Sequence, residues 1–143
     1  MKILIMEDPR VLPVILDYLN EIDQVHGGCA DLIVCRNKSE AEARLAEANM
    51  AIIDIDCGGH EVVIEALERY GIPVMATSAI LDEGTIKKTG TFCCMTKPAI
   101  GFEDFRSAIL QFQKIVERKV SVTWRTQHFR EELDAGSDTC VLN

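Results

Sequence analysis

Reactive polar side chains follow four separate short apolar runs in this chain. The runs KILIM, MAII, IPVMAT and TFCCMT are followed in turn by Glu7-Asp8, Asp54, Ser78 and Lys97. If these runs are parallel strands, their carboxyl ends meet at one edge of one sheet, where open α/β folds bind their ligands. We therefore expect three carboxylates, a hydroxyl and an ammonium to converge on one site.

That set of groups indicates phosphoryl-transfer chemistry. Clustered carboxylate oxygens suit a hard divalent cation, usually Mg²⁺. A lysine ammonium beside them suits the phosphate oxygens that such a cation bridges. One acidic pair or one lysine would be weak support, but all of these groups recur in order, each after its own apolar run.

The order and spacing of these residues resemble the receiver domain of two-component response regulators. In that family an acidic pair follows the first strand, a phosphorylated aspartate ends the third, a Ser/Thr followed by Ala ends the fourth, and Lys-Pro follows the fifth. The matching residues here are Glu7 with Asp8, Asp54, Ser78 with Ala79, and Lys97 with Pro98. The resemblance covers about residues 2–118.

The resemblance implies a role for each matching residue. Asp54, Lys97 and Ser78 are the expected catalytic residues, with Asp54 as the nucleophile that takes a phosphoryl group from a phosphohistidine. The expected phosphate-binding residues are Ser78, Ala79 and Lys97. The expected ligands of a Mg²⁺ cofactor are Glu7, Asp8, Asp54 and Asp56, the last through its backbone carbonyl.

The resemblance also implies the partners. The phosphoryl donor is expected to be a sensor histidine kinase or a histidine phosphotransfer protein. The chain itself would catalyse no more than its own phosphorylation and dephosphorylation. A homodimer is expected, if one forms, through the face made by the fourth helix, the fifth strand and the fifth helix.

Strand and helix periods alternate along the chain, which is typical of βα units around a parallel sheet. The predicted strands are 2–6, 31–35, 50–54, 72–77 and 91–96. The predicted helices are 11–23, 39–48, 61–70, a weak one at 81–90, and one from Phe102. With the resemblance, this predicts a doubly wound, flavodoxin-like α/β fold whose five-stranded parallel sheet has the order 2-1-3-4-5 and helices on both faces.

Two patterns make local predictions. Ser39-Glu40-Ala41-Glu42 fits a capping box, which predicts that Ser39 begins the second helix. An apolar stripe at three- and four-residue steps marks the fifth helix, at Phe102, Phe105, Ile109, Phe112 and Val116. We expect this stripe to pack against the sheet, with a dimer seam as the alternative.

Composition bounds the protein further. At 143 residues and 48% hydrophobic, the chain fits one receiver domain at 1–120 and a C-terminal extension at 121–143, partly helical or disordered. No apolar stretch approaches the roughly 18 residues that cross a bilayer, so we expect a cytoplasmic protein with no membrane contact. The net charge of −8 argues against direct binding to nucleic acid and favours a basic partner surface.

The six cysteines contain no C-x-x-C pair, and we expect them to be reduced thiols. Cys57 and His60 are close in sequence, but they supply only two of the four ligands that a structural zinc needs.

Departures from the family pattern leave the function open. Cys94 stands three positions before Lys97, where receivers usually carry an aromatic switch residue, and a mobile Gly58-Gly59 pair follows Asp54. The first alternative is a phosphoacceptor that signals through protein contacts. The second is a degenerate receiver that works as a binding scaffold without phosphorylation. A flavodoxin-like cofactor binder is weaker, because Glu7 and Asp8 would repel a phosphate.

Overall fold

Five parallel strands form one sheet in the order β2-β1-β3-β4-β5, which confirms the predicted topology. The computed structural model describes residues 1–28, 30–79, 93–96 and 100–136, with side chains for residues 1–28, 30–79 and 100–119. The strands are β1 Lys2–Met6, β2 Asp31–Cys35, β3 Met50–Asp54, β4 Val74–Ser78 and β5 Cys93–Thr96. The predicted helix at 81–90 lies outside the described residues.

The described helices lie between and after these strands. They are α1 Leu12–His26, α2 Lys38–Arg44 with a tight turn at Leu45–Glu47, α3 His60–Glu68, and α4 Phe102–Gly136, which corresponds to the predicted fifth helix. None of them combines the length and apolar composition needed to cross a bilayer, within the part of the chain that the structure describes.

Both faces of the sheet are covered, as a doubly wound fold requires. Alternate residues of each strand point to opposite faces, so Ile3 and Ile5 pack with α1 and α4 while Leu4 and Met6 pack with α2 and α3. The central strands β1 and β3 are therefore apolar on both sides, which explains their unbroken hydrophobic runs. The burial of these runs fixes the sheet and hence the position of its carboxyl edge.

The apolar stripe of α4 packs in the core. Phe105, Ile109 and Phe112 are buried against the sheet and α1. The ring of Tyr18 on α1 lies 5.2 Å from that of Phe102 and 5.5 Å from that of Phe105, and its hydroxyl donates to the Ile100 carbonyl at 3.0 Å. The core interpretation of the stripe is confirmed. The helix continues through residue 120, where the boundary between the receiver domain and the C-terminal extension was predicted. The division of the chain at this residue stays a prediction.

Two local predictions were displaced. Strand β4 begins at Val74 rather than at residue 72, because Pro73 has no N–H to donate to a neighbouring strand. Helix α2 is capped by Asn37 rather than by Ser39. The Asn37 side chain accepts from the Glu40 N–H at 2.9 Å, and the Glu40 carboxylate accepts from the Arg36 N–H at 2.8 Å. The cap therefore lies two residues earlier than predicted, and it differs from a capping box because Glu40 accepts from the N–H of Arg36 instead of that of the cap residue.

Replacing the Asn37 cap should destabilise the domain. In Asn37→Ala the Glu40 N–H loses its acceptor, and we expect the free energy of unfolding to fall by about 1 kcal/mol. Ser39→Ala, inside the same helix, is the matched control and should leave stability almost unchanged. Urea denaturation of the two variants measures both free energies of unfolding. A larger loss of stability in Ser39→Ala would show that Ser39, the residue predicted from sequence, is the cap.

Candidate functional site

A cleft of about 570 Å³ opens at the carboxyl ends of β1, β3 and β4. Its polar lining comes from Asp8, Arg10, Asp54, Asp56, Cys57 and Ala79. The strand register explains why these residues surround one cleft, because Met6 lies beside Ile53 and Asp54 lies beside Thr77. The three strands end at nearly the same level, so the residues that follow them surround one space.

Asp54 ends β3 and has no solvent-exposed area. Its Oδ1 accepts from the backbone N–H of Asp56 at 2.8 Å, which begins the turn Ile55–Gly59. Within that turn Gly58 has a φ of 77°, a conformation that residues with a Cβ rarely adopt. The predicted nucleophile is thus held by the turn that follows it.

Gly59 lets this turn pass close to β3. A Cβ on Gly59 would overlap the carbonyl oxygen of Asp54 and would lie 2.5 Å from Ile53 Cγ2 and 2.9 Å from Met6 Cε. Only glycine fits, so the sequence Gly58-Gly59 combines a left-handed residue with a close backbone approach. The sequence prediction of a mobile loop missed this second, packing role.

Asp56 joins the end of β3 to the end of β4. Its Oδ1 accepts from the Ser78 hydroxyl at 2.7 Å, and its Oδ2 accepts from the Ala79 N–H at 2.6 Å. Ser78 and Ala79 are two of the three residues expected to bind phosphate oxygens, and both donate to this one anionic group. The sequence predicted a metal-binding backbone carbonyl at Asp56 and a negative charge near the phosphate, but not the hydrogen bonds of its side chain with Ser78 and Ala79.

Glu7 lies beside the cleft and faces β4. Its carboxylate accepts from the Thr77 hydroxyl at 2.5 Å and from the Asp8 N–H at 3.0 Å, and Glu7 is 8% exposed. Strand alternation places Glu7 on the same face as Ile3 and Ile5, which explains why it reaches a buried threonine. The sequence analysis assigned no role to Thr77. Its position immediately before Ser78 on a buried strand was the feature that could have indicated one.

Asp8 faces the cleft and pairs with Arg10. The Arg10 guanidinium donates to Asp8 Oδ2 at 2.7 Å and to Oδ1 at 3.1 Å, and the Arg10 N–H donates to Oδ1 at 2.8 Å. The side-chain hydrogen bond that Arg10 donates to Asp8 raises the pKa of Arg10, and the negative charge of Asp8 adds to that effect. Arg10 was missed from sequence, although an arginine two residues after an aspartate suits a local turn of this kind.

The donor chemistry of the cleft fits Mg²⁺. Within the described ranges no cluster of three or more histidine, cysteine or acidic side chains is placed to hold a metal. Asp8 and Asp54 nevertheless face one cleft, and Mg²⁺ is commonly held by one or two carboxylates together with several waters and phosphate oxygens. Glu7 as a ligand, and the Asp56 carbonyl, stay predictions.

Lys97, Pro98 and the side chain of Cys94 lie outside the described residues, so their predicted roles stay predictions. Two other thiols are described. Cys57 is exposed in the cleft, and Cys35 is buried, where desolvation raises the pKa of its thiol. Both are reduced thiols, as the sequence predicted.

Gly59→Ala should destabilise the domain through the contacts of its new Cβ. Because one contact is with backbone, the turn must shift, and we expect a loss of about 1–3 kcal/mol and a lower melting temperature. Gly28→Ala is the matched control, because a Cβ at Gly28 meets nothing within 4 Å. Equal melting temperatures for the two variants would show that the turn yields freely.

Arg10→Ala should strengthen Mg²⁺ binding. The variant frees Asp8 from a competing cation, and since exposed ion pairs are worth about 0–1 kcal/mol, we expect affinity to rise by up to about fivefold. Arg44→Ala removes the same charge and a similar pair, with Glu47, far from the cleft. Calorimetric Mg²⁺ titrations of both variants test this, and weaker binding in Arg10→Ala would contradict the competition.

Solved structures resemble this chain, whereas no protein-family model and no curated protein matches it. The signal receiver domain of a DNA-binding response regulator from Colwellia psychrerythraea 34H aligns with a TM-score of 0.66 and 20% identity, over 80% of this chain and 98% of that one. A two-component response regulator from Clostridium difficile aligns with a TM-score of 0.65 and 16% identity, over 80% and 96%.

A third structure is the signal receiver domain of a modulated diguanylate cyclase from Desulfovibrio desulfuricans G20. It aligns with a TM-score of 0.59 and 19% identity, over 82% of this chain and 97% of that one. At these identities the likeness concerns the fold. The chain therefore has the receiver-domain fold of response regulators, as the order of its acidic, hydroxyl and lysine residues predicted.

Proposed function

We propose that this chain is a phosphoacceptor of the response-regulator type, in which Asp54 receives a phosphoryl group from a phosphohistidine. One observation carries the proposal. The Ser78 hydroxyl and the Ala79 N–H converge on a carboxylate in the cleft that contains Asp54, so the end of β4 is arranged to bind an anion beside the nucleophile. Charge-assisted hydrogen bonds of this kind are the strong ones.

The proposed reaction is a displacement at phosphorus. An Asp54 carboxylate oxygen attacks, the P–N bond breaks, and its electron pair stays on that nitrogen of the donor histidine while the other ring nitrogen carries a proton, so that a neutral imidazole leaves. The products are an aspartyl phosphate on this chain and an unmodified imidazole on the donor. The acyl phosphate is itself open to attack by water, which makes the modification reversible.

The residues around Asp54 have distinct proposed tasks. Ser78 and Ala79 bind phosphoryl oxygens, and Lys97 contacts another, as the resemblance to receivers implies. Asp8 and Asp54 would hold Mg²⁺, which supplies neutralisation of the charge that builds on the transferring group. Glu7 orients Asp8 by accepting its N–H, and Thr77 holds Glu7 in place.

The proposed donor is a sensor histidine kinase or a histidine phosphotransfer protein, and the proposed output is through protein contacts. Acidic composition supports a basic partner surface, since the formal net charge is −8. Dimerisation through the face formed by the helix predicted at 81–90, β5 and α4 is likewise a proposal. Direct contact with nucleic acid is disfavoured by the same charge.

A second candidate function is a binding scaffold that works without phosphorylation. The burial of Asp54 favours it, because a carboxylate with no exposed area cannot approach phosphorus until its surroundings move. The two candidates differ in whether the wild-type chain forms an aspartyl phosphate.

Asp54→Asn should abolish phosphorylation by acetyl phosphate, because the amide keeps the shape of the side chain but cannot attack phosphorus. The experiment incubates wild type and variant with acetyl phosphate and Mg²⁺, and detects a hydroxylamine-sensitive adduct by intact-mass spectrometry. Asp31→Asn, an exposed strand residue at the opposite edge of the sheet, is the matched charge control.

We expect the adduct on wild type and on Asp31→Asn, and its loss from Asp54→Asn and from wild type with excess chelator. An adduct of equal yield on Asp54→Asn would refute the nucleophile. Its absence from wild type would favour the scaffold.

A further inference from the structure

The side chain of Asp56 accepts from two of the three donor groups that the proposed function assigns to phosphoryl oxygens, the Ser78 hydroxyl and the Ala79 N–H. One carboxylate oxygen is 2.7 Å from the Ser78 hydroxyl, and the other is 2.6 Å from the Ala79 nitrogen. The hydroxyl distance lies within the range of charge-assisted hydrogen bonds, and the N–H distance is slightly shorter than that range. The chain thus supplies an anion of its own at this position.

These donors can serve one strong acceptor at a time. A serine hydroxyl carries one proton and a backbone amide carries one, so neither has a second hydrogen to offer to another oxygen. A phosphoryl group on Asp54 presents oxygens with the same charge and the same preference for such donors. The Asp56 carboxylate and the phosphoryl oxygens therefore compete for one pair of groups.

We propose that Asp56 is an internal competitor for the phosphoryl group, occupying the Ser78 and Ala79 donors until an anion on Asp54 displaces it. The inference rests on the proposed function and adds its regulation. If Asp56 competes in this way, the end of β4 in the unphosphorylated chain is already held as a bound phosphoryl group would hold it. The affinity of the chain for that group is correspondingly weaker.

The same residue controls access to the nucleophile. The Asp56 N–H donates to Asp54 Oδ1 at 2.8 Å while the Asp56 side chain is tied to β4, so three hydrogen bonds fix the start of the turn Ile55–Gly59. Asp54 is fully buried in this arrangement. Release of the Asp56 carboxylate from Ser78 and Ala79 removes the link between this turn and β4, and gives the turn freedom to uncover Asp54.

Electrostatics adds to the competition. Asp8, Asp54 and Asp56 line one cleft, in which Arg10 is the one basic side chain among the described lining residues, and it is bound to Asp8. A phosphoryl group that enters brings further negative charge to a position already next to the Asp56 carboxylate. Displacement of Asp56 relieves this repulsion as well as freeing the two donors.

The first measurement is amide hydrogen exchange in the ligand-free protein, with Asp56→Ala as the variant and Asp31→Ala as its charge control. We expect exchange of the Ala79 N–H to accelerate about tenfold or more in Asp56→Ala, because a charged acceptor is lost. Asp31→Ala should match wild type. Unchanged Ala79 exchange in Asp56→Ala would overturn the proposal.

The second measurement is a titration with beryllofluoride and Mg²⁺, a phosphoryl analogue, followed by amide NMR. We expect Asp56→Ala to bind about tenfold more tightly than wild type, and phosphorylation of the variant by acetyl phosphate to be faster. Equal or weaker binding would overturn the competition even if exchange had changed.

Asp56→Asn guards against a folding defect in the alanine variant. The amide keeps the size of the side chain and can accept from one donor, but its NH₂ group cannot accept from the other. We expect intermediate exchange and intermediate affinity. A different outcome is that Ala79 exchange responds to Asp56 but neither wild type nor either variant binds the analogue. In that case the proposed function fails, and the competition fails with it. The exchange result would then show only that Asp56 stabilises the end of β4.

Discussion

The register of β3 against β4 is the constraint on which the site depends. Asp54 lies beside Thr77, so Ser78 at the end of β4 and Ala79 after it come level with the turn that leaves β3. A shift of one residue would turn every side chain of a strand to the opposite face. The buried residues of both faces forbid such a shift, because each strand of the centre is apolar on both sides. Core packing thereby fixes which polar groups meet.

Within that frame the cleft is organised by the charges of the chain itself. Arg10 lies on Asp8, where a cation is expected, and Asp56 lies on Ser78 and Ala79, where an anion is expected. Each internal pair lowers the electrostatic cost of an otherwise acidic cleft. The Arg10 pair has to be broken, in part or in full, when an external cation binds Asp8, and the Asp56 contacts have to be broken when an external anion binds Ser78 and Ala79. Interactions that stabilise the free domain therefore weaken its affinity for ligands.

The fold was predictable because its signals are periodic and repeated. Five apolar runs separated by helical patterns determine a parallel sheet, and the reactive polar residues that follow four of these runs mark the same edge. The positions of Asp8, Asp54, Ser78 and Ala79 follow from that pattern. Errors arose where a single residue decides the outcome: Pro73 delayed β4, and Asn37 displaced Ser39 as the cap of α2.

What could not be predicted is how side chains of the site pair with one another. The Asp56 carboxylate reaches Ser78 across 22 residues of sequence, and Thr77 reaches Glu7 across 70. Neither contact has a local motif, because each depends on the level at which two strands end. The role of Gly59 is similar, since the demand for a missing Cβ comes from Ile53 and the Asp54 carbonyl rather than from the turn itself.

Helix α4 gives the domain a mechanical property that the cleft lacks. Its 35 residues form one unbroken helix, about 52 Å long at about 1.5 Å per residue, and among its described side chains the last buried one is Phe112. A helix of that length magnifies rotation, so a tilt of about 5° at Phe112 moves Gly136, about 36 Å further along, by roughly 3 Å. A partner bound to the far end of this helix would therefore be moved by rotations of its base that are too small to alter the core visibly.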